Sequence, residues 1–159
     1  MPSPTEPKLG EWIGKLSESI DKLGQNIFFI AHSLGCIALL GYLETLKELP
    51  KIGGIILVSG FNKKLENIPE LNNFIHTGIN YKKIISAVSL RAVVTAIDDK
   101  IVPTEFSKEL ADNLEAKFFQ LSTGGHFLDS DGFSKFPKIH EIITNMIADK
   151  QGYIGNEND

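Results

Sequence analysis

Three residues of this chain carry side chains that could perform nucleophilic chemistry together: Ser33, Asp99 and His126. A serine hydroxyl is a weak nucleophile unless a base takes its proton as it attacks. An imidazole does that near neutral pH and then protonates the leaving group. A carboxylate on the far ring nitrogen fixes the tautomer and steadies the imidazolium. Each of the three groups falls just after an apolar run. Ser33 follows Ile27-Phe28-Phe29-Ile30-Ala31, Asp99 follows the run Leu90 to Ile97, and His126 follows Lys117 to Leu121 through a turn containing Gly124 and Gly125.

The elements around them are legible. The first run ends in Ala31-His32-Ser33-Leu34-Gly35, and a helical pattern starts at once with Cys36, Ile37, Ala38, Leu39 and Leu40. A strand, a sharp turn and a helix are what a Gly-x-Ser-x-Gly nucleophile elbow requires. Ala31 replaces the first glycine and adds only a methyl. The positions two before and two after the serine should be small, because strand and helix backbones pass close there. The Leu34 N–H, at the helix start, can donate to a developing oxyanion. Helices are expected over Lys8 to Leu23, from the elbow to about Leu49, over Tyr81 to Ala87, Thr104 to Leu114, and Pro137 to about Asp149, with a weak helical pattern around Pro69 to Ile75. Strands are expected over Asn26 to Ala31, Ile52 to Ser59, Leu90 to Ile97 and Lys117 to Leu121. The strands are continuous apolar runs that alternate with helices. That pattern predicts an α/β fold, a mostly parallel sheet with helices on both faces. In such sheets the site lies outside the carboxyl ends of the strands.

Each residue also has a plain structural reading. Ser33 could cap a helix, Asp99 could be ordinary turn chemistry before Pro103, and His126 could be a loop histidine. Three strand-end positions in the order Ser, Asp, His favour the chemical reading, since that is the order of one hydrolase architecture and differs from two others.

With 159 residues, 42% hydrophobic and 23% charged, the chain fits one domain over residues 1–150, followed by a polar, frayed tail at 151–159. The net charge of −4 argues against nucleic acid and anionic membrane as partners. Cys36 is the one cysteine, so the chain forms no internal disulfide. No metal-ligand spacing and no phosphate loop is present, and no metal or cofactor is expected. The N-terminus lacks the basic and apolar regions of a signal peptide, and no apolar run reaches the ~20 residues of a membrane span, which leaves a cytoplasmic protein as the expectation.

The segments Ala-His-Ser-Leu-Gly-Cys (31–36), Ile-Leu-Val-Ser-Gly-Phe (56–61), Asp-Asp-Lys-Ile-Val-Pro (98–103) and Gly-Gly-His-Phe (124–127) resemble the small α/β-hydrolase-fold serine hydrolases. That family includes retinoblastoma-binding protein nine and the bacterial YdeN proteins. The resemblance runs from about Met1 to Met146. It implies an esterase-type hydrolase with no cofactor, a small-molecule acyl substrate, Ser33 as nucleophile, Asp99 as acid and His126 as base. Asp98 competes for the acid. The family's spacing of four residues before the proline selects Asp99. His32 and Gly125 are expected at the rim of the site. His76 and His140 have no role in this reading.

The resemblance also implies something missing. The family's chains start with a strand and a Gly-rich loop that this sequence lacks. The fold is therefore expected to be N-terminally truncated, with the nucleophile strand at a sheet edge, open to self-association or a partner. The loop would also have supplied the second oxyanion donor. Two readings follow: a hydrolase or acyltransferase using Ser33, and a non-catalytic hydrolase-fold binder or inactive fragment.

Overall fold

The computed structural model describes the backbone of residues 1–155 and the side chains of residues 1–150. Four strands form one parallel sheet in the order β1 (Phe28–His32), β2 (Ile52–Val58), β3 (Val88–Ala96), β4 (Lys117–Leu121). The helices are α1 (Leu9–Ser19), α2 (Leu34–Thr45), α3 (Tyr81–Ala87), α4 (Thr104–Asn113) and α5 (Pro137–Gly155). Right-handed crossovers that step in one direction across a sheet place their helices on one face. Accordingly α2, α3 and α4 share a core with Ile55, Leu57 and Val93, and α1 packs outside α2. The opposite face, with Ile56, Val58, Ala92, Val94 and Ala96, is covered by Ile139, Ile142 and Met146 of α5. Helices lie on both faces, as the continuous apolar runs predict.

α2 is apolar all round because it is buried all round: every residue from Cys36 to Leu43 is in the interior. The segment between β2 and α3, which reads as polar, is anchored by Phe61, Leu65 and Phe74 in a third core, where Trp12 meets Phe74 edge-to-face at 4.9 Å. A 3₁₀ helix over Pro69–Phe74 takes the place of the weak helical pattern. Gly53 is needed for close approach: a Cβ there would stand 2.6 Å from the Gln25 carbonyl oxygen.

Several boundaries differ from the sequence expectation, among them β1, which runs over Phe28–His32 where Asn26 to Ala31 is expected. α1 stops at Ser19, short of Leu23, with Ile20 extended. Ile20 and Leu23 still reach the main core from extended chain, which is why the apolar spacing continues past the helix. α2 stops at Thr45, short of Leu49, and Leu46 and Leu49 likewise join that core from non-helical chain. β3 begins at Val88, directly after α3. α5 continues through Gly155, past the expected end near Asp149. It thereby takes residues 151–155 of the expected frayed tail, and residues 156–159 lie outside the described residues.

Among the described residues β1 pairs with β2 alone, so the strand that leads to Ser33 lies at the sheet edge. The Ser33 N–H donates to the Val58 carbonyl and the Gly53 N–H to the Ile27 carbonyl. Odd-numbered residues of β1 therefore face β2, and Phe28, Ile30 and His32 turn their backbone groups outward. Ile30 is 53% exposed, an apolar side chain on an open edge.

Candidate active site

The carboxyl ends of the four strands bring Ser33, Asp99 and His126 together. Ser33 sits between β1 and α2 with φ 54° and ψ −124°, a strained conformation for a residue with a side chain. Its hydroxyl makes no capping bond to α2, so the helix-cap reading does not hold. The Oγ stands 2.9 Å from His126 Nε2 instead. His126 Nδ1 is 2.9 Å from Asp99 Oδ2. An ionised carboxylate only accepts hydrogen bonds, so Nδ1 carries the proton and Nε2 is left to accept from the serine. The turn reading of Asp99 holds as well: Oδ1 accepts from the N–H groups of Ile101 (2.8 Å) and Val102 (3.0 Å). One carboxylate thus ties its own turn with one oxygen and meets the imidazole with the other.

The Asp99 side chain is 0% exposed. Burial pushes its pKa up. Bonds from His126, Val102, Ser59 and Ile101 outweigh that and hold it below the ordinary aspartate range. Asp98, the competing carboxylate, does not touch the imidazole; its Oδ1 accepts from the Gly125 N–H at 2.9 Å.

His126 is 6% exposed and rides on a loop with two left-handed residues, Gly125 (φ 53°) and Phe127 (φ 56°). A Cβ on Gly125 would stand 2.8 Å from Asp131 Cγ, so glycine is required on both counts. Asp131 Oδ2 accepts from the N–H groups of His126 (3.0 Å) and Leu128 (3.1 Å). His32 Nε2 donates to the His126 carbonyl at 2.8 Å, and the two rings lie 4.8 Å apart. Burial pushes the His32 pKa down and favours its neutral form. Phe127, Phe133 and Phe136 form an aromatic cluster beneath the loop.

The Leu34 N–H is the first of α2 and has no intrahelical acceptor. An added Cβ at Gly35 would meet nothing within 4 Å, so close backbone approach does not explain that glycine, contrary to the expectation for the elbow. A cleft of about 660 Å³ opens on the His126 side, lined among others by Asp98, Lys100, Ile101, Leu128, Asp131 and Phe133. The 127–136 loop contributes to it, and the 61–80 segment does not.

Sequence reasoning missed Ser59 and Asp131. Ser59 Oγ donates to Asp99 Oδ2 at 2.8 Å. Its position at the carboxyl end of β2, level with the other groups, was the available signal. Nothing in the sequence marks Asp131, whose role depends on how the loop folds back. His76, whose backbone pairs with Asn62, takes no part in the site. No helix among the described residues is long and apolar enough to cross a membrane.

Known proteins share this architecture. The Bacillus subtilis protein YdeN is 41% identical over 148 residues, covering 93% of this chain and 78% of YdeN. Its crystal structure superposes with a TM-score of 0.89 over 93% of this chain and 80% of that one. The rat serine hydrolase RBBP9 is 24% identical over 149 residues, covering 93% of this chain and 75% of RBBP9. A YdeN-like protein from Pectobacterium atrosepticum shares the fold at 16% identity, with a TM-score of 0.57, 89% of this chain and 69% of that one. The family model described as serine hydrolase matches residues 2–145, which takes in the elbow, all four strands and the His126 loop, and the chain belongs to the serine hydrolase family.

Proposed function

We propose that this chain is an esterase-like serine hydrolase that cleaves small carboxylic esters through an acyl-enzyme on Ser33. The observation that carries the reading is the continuous bond path from Ser33 Oγ through His126 to Asp99 Oδ2, each step 2.9 Å. In the first step Ser33 Oγ attacks the ester carbonyl and its proton passes to His126 Nε2. The tetrahedral oxyanion receives the Leu34 N–H. His126 then returns the proton to the leaving alcohol, the C–O bond breaks, and the acyl group stays on Ser33. Water, deprotonated by the same nitrogen, attacks the acyl-enzyme; the bond from the acyl carbon to Ser33 Oγ breaks, His126 returns the proton to Oγ, and the acid is released. Asp99 stays ionised throughout and holds Nδ1–H in place. An acyl transfer to an alcohol or thiol would use the same groups. Composition leads us to place the protein in the cytoplasm.

A fluorophosphonate probe tests this. Mass spectrometry should find one adduct, on Ser33. Ser33→Ala should abolish it and His126→Ala should slow it steeply. An adduct that persists in Ser33→Ala would overturn the assignment. A second reading, a non-catalytic binder acting through the β1 edge, is favoured by the exposure of Ile30. Wild-type protein that folds but takes no adduct would select it.

A further inference from the structure

We infer that Ser59 is a positioning residue for the His126–Asp99 pair, because its buried hydroxyl donates to the Asp99 oxygen that also accepts from His126. This rests on the proposed function just given.

Three observations carry it. Ser59 is 0% exposed, so its hydroxyl is part of the interior and its bond to Asp99 Oδ2 is not shared with bulk water. Its backbone is left-handed, at φ 44°, a region that favours glycine. The chain has a hydroxyl-bearing residue there, with Gly60 beside it and the Ser59 N–H tied to the Val94 carbonyl at 2.8 Å. The third observation is the full occupation of Asp99. Oδ1 takes the N–H groups of Ile101 and Val102, and Oδ2 takes Ser59 and His126. A carboxylate has about four lone-pair sites, so no direction is left open and the group cannot rotate away from the imidazole.

Removing the hydroxyl has two effects. The carboxylate gains freedom to turn about its own axis, which loosens the orientation of His126. The charge on Oδ2 is also no longer shared with a second donor, so it favours the protonated imidazole more strongly. The charged and titratable groups around the pair are His32 from β1, which bonds the His126 carbonyl, Asp98 and Asp131, which bond the backbone of the His126 loop, and Lys100, which lines the cleft with His126. None of them reaches Oδ2, so none replaces Ser59.

The test compares Ser59→Ala and Ser59→Gly with wild type by the rate of fluorophosphonate labelling at Ser33, across the pH range in which an imidazole titrates. Both variants lose the hydroxyl, and glycine also relieves the left-handed backbone. The expected result is labelling about tenfold slower in both, with the acid limb moved up by about half a pH unit. Ser59→Cys, a weaker donor of similar size, should lie between. Variants within about twofold of wild type, with an unchanged acid limb, would overturn the inference and leave the proposed function standing. So would a wild-type rate in Ser59→Gly beside a slow Ser59→Ala, which would make the residue's role one of backbone shape. Loss of folding in both, read by circular dichroism, would assign Ser59 to the core and also overturn it. Absence of wild-type labelling at Ser33 is the separate outcome that overturns the proposed function and this inference together.

Discussion

Replacing Asp99 by asparagine exchanges one carboxylate oxygen for an NH₂ group and should remove most of the activity. The amide must choose which end faces the imidazole. Ile101 and Val102 both donate to Oδ1, so the amide oxygen is held there, and the NH₂ group is left facing His126 Nδ1. An amide N–H beside Nδ1 demands an acceptor. The ring proton therefore moves to Nε2, the nitrogen that must accept from Ser33. The imidazole keeps its place and loses its function as a base. A wrong tautomer in this geometry costs about 10⁴ in turnover, or about 5 kcal/mol in the barrier. Asp98→Asn is the control. The Asp98 contact is one bond accepted from the Gly125 N–H, and an amide oxygen still accepts it, so the loss should stay below about tenfold. The assay is kcat/KM on a p-nitrophenyl ester, with circular dichroism to confirm the fold. The reverse ranking would show that Asp98 is the working carboxylate and that the bond pattern around Asp99 has been misread.

Three further outcomes are expected. Asp131→Ala leaves the N–H groups of His126 and Leu128 without their acceptor, so kcat should fall by about tenfold or more, while Asp131→Asn, which retains an acceptor, should stay near wild type; equal losses in both would refute this. Burial lowers the His32 pKa, so on acidification below about 6.5 the unfolded chain binds a proton before the folded one does. Stability should fall as pH drops from there toward the folded value, and His32→Asn should flatten that part of a melting-temperature profile; an unchanged slope would refute it. Ile30→Lys places a charge on the open β1 edge, where the side chain is already 53% exposed, and should lower concentration-dependent self-association in sedimentation with little change in melting temperature; unchanged association would argue against pairing at that edge.

The sequence by itself determined the frame. Continuous apolar runs alternating with amphipathic helices can be buried only as a parallel sheet covered on both faces, and four such runs gave four strands. The elbow was legible because a serine between a β run and a buried helix has few conformations open to it. Asp99 and His126 were legible because both fall one turn past a strand end, where a parallel sheet gathers its loops. Helix ends were less legible. Ile20, Leu23, Leu46 and Leu49 face the same core whether the chain there is helical or extended, so spacing alone could not mark where α1 and α2 stop. Only the tertiary structure decided which oxygen meets which nitrogen. Asp98 and Asp99 are adjacent and identical in type, and the fold turns one to the Gly125 backbone and the other to the imidazole. Ser59 and Asp131 entered the site the same way, through residues 40 positions away from Asp99 and 5 from His126. The Ser59 bond depends on how segments after two separate strands converge at one end of the sheet, and the Asp131 bond on how one loop folds back on itself, and a linear pattern records neither.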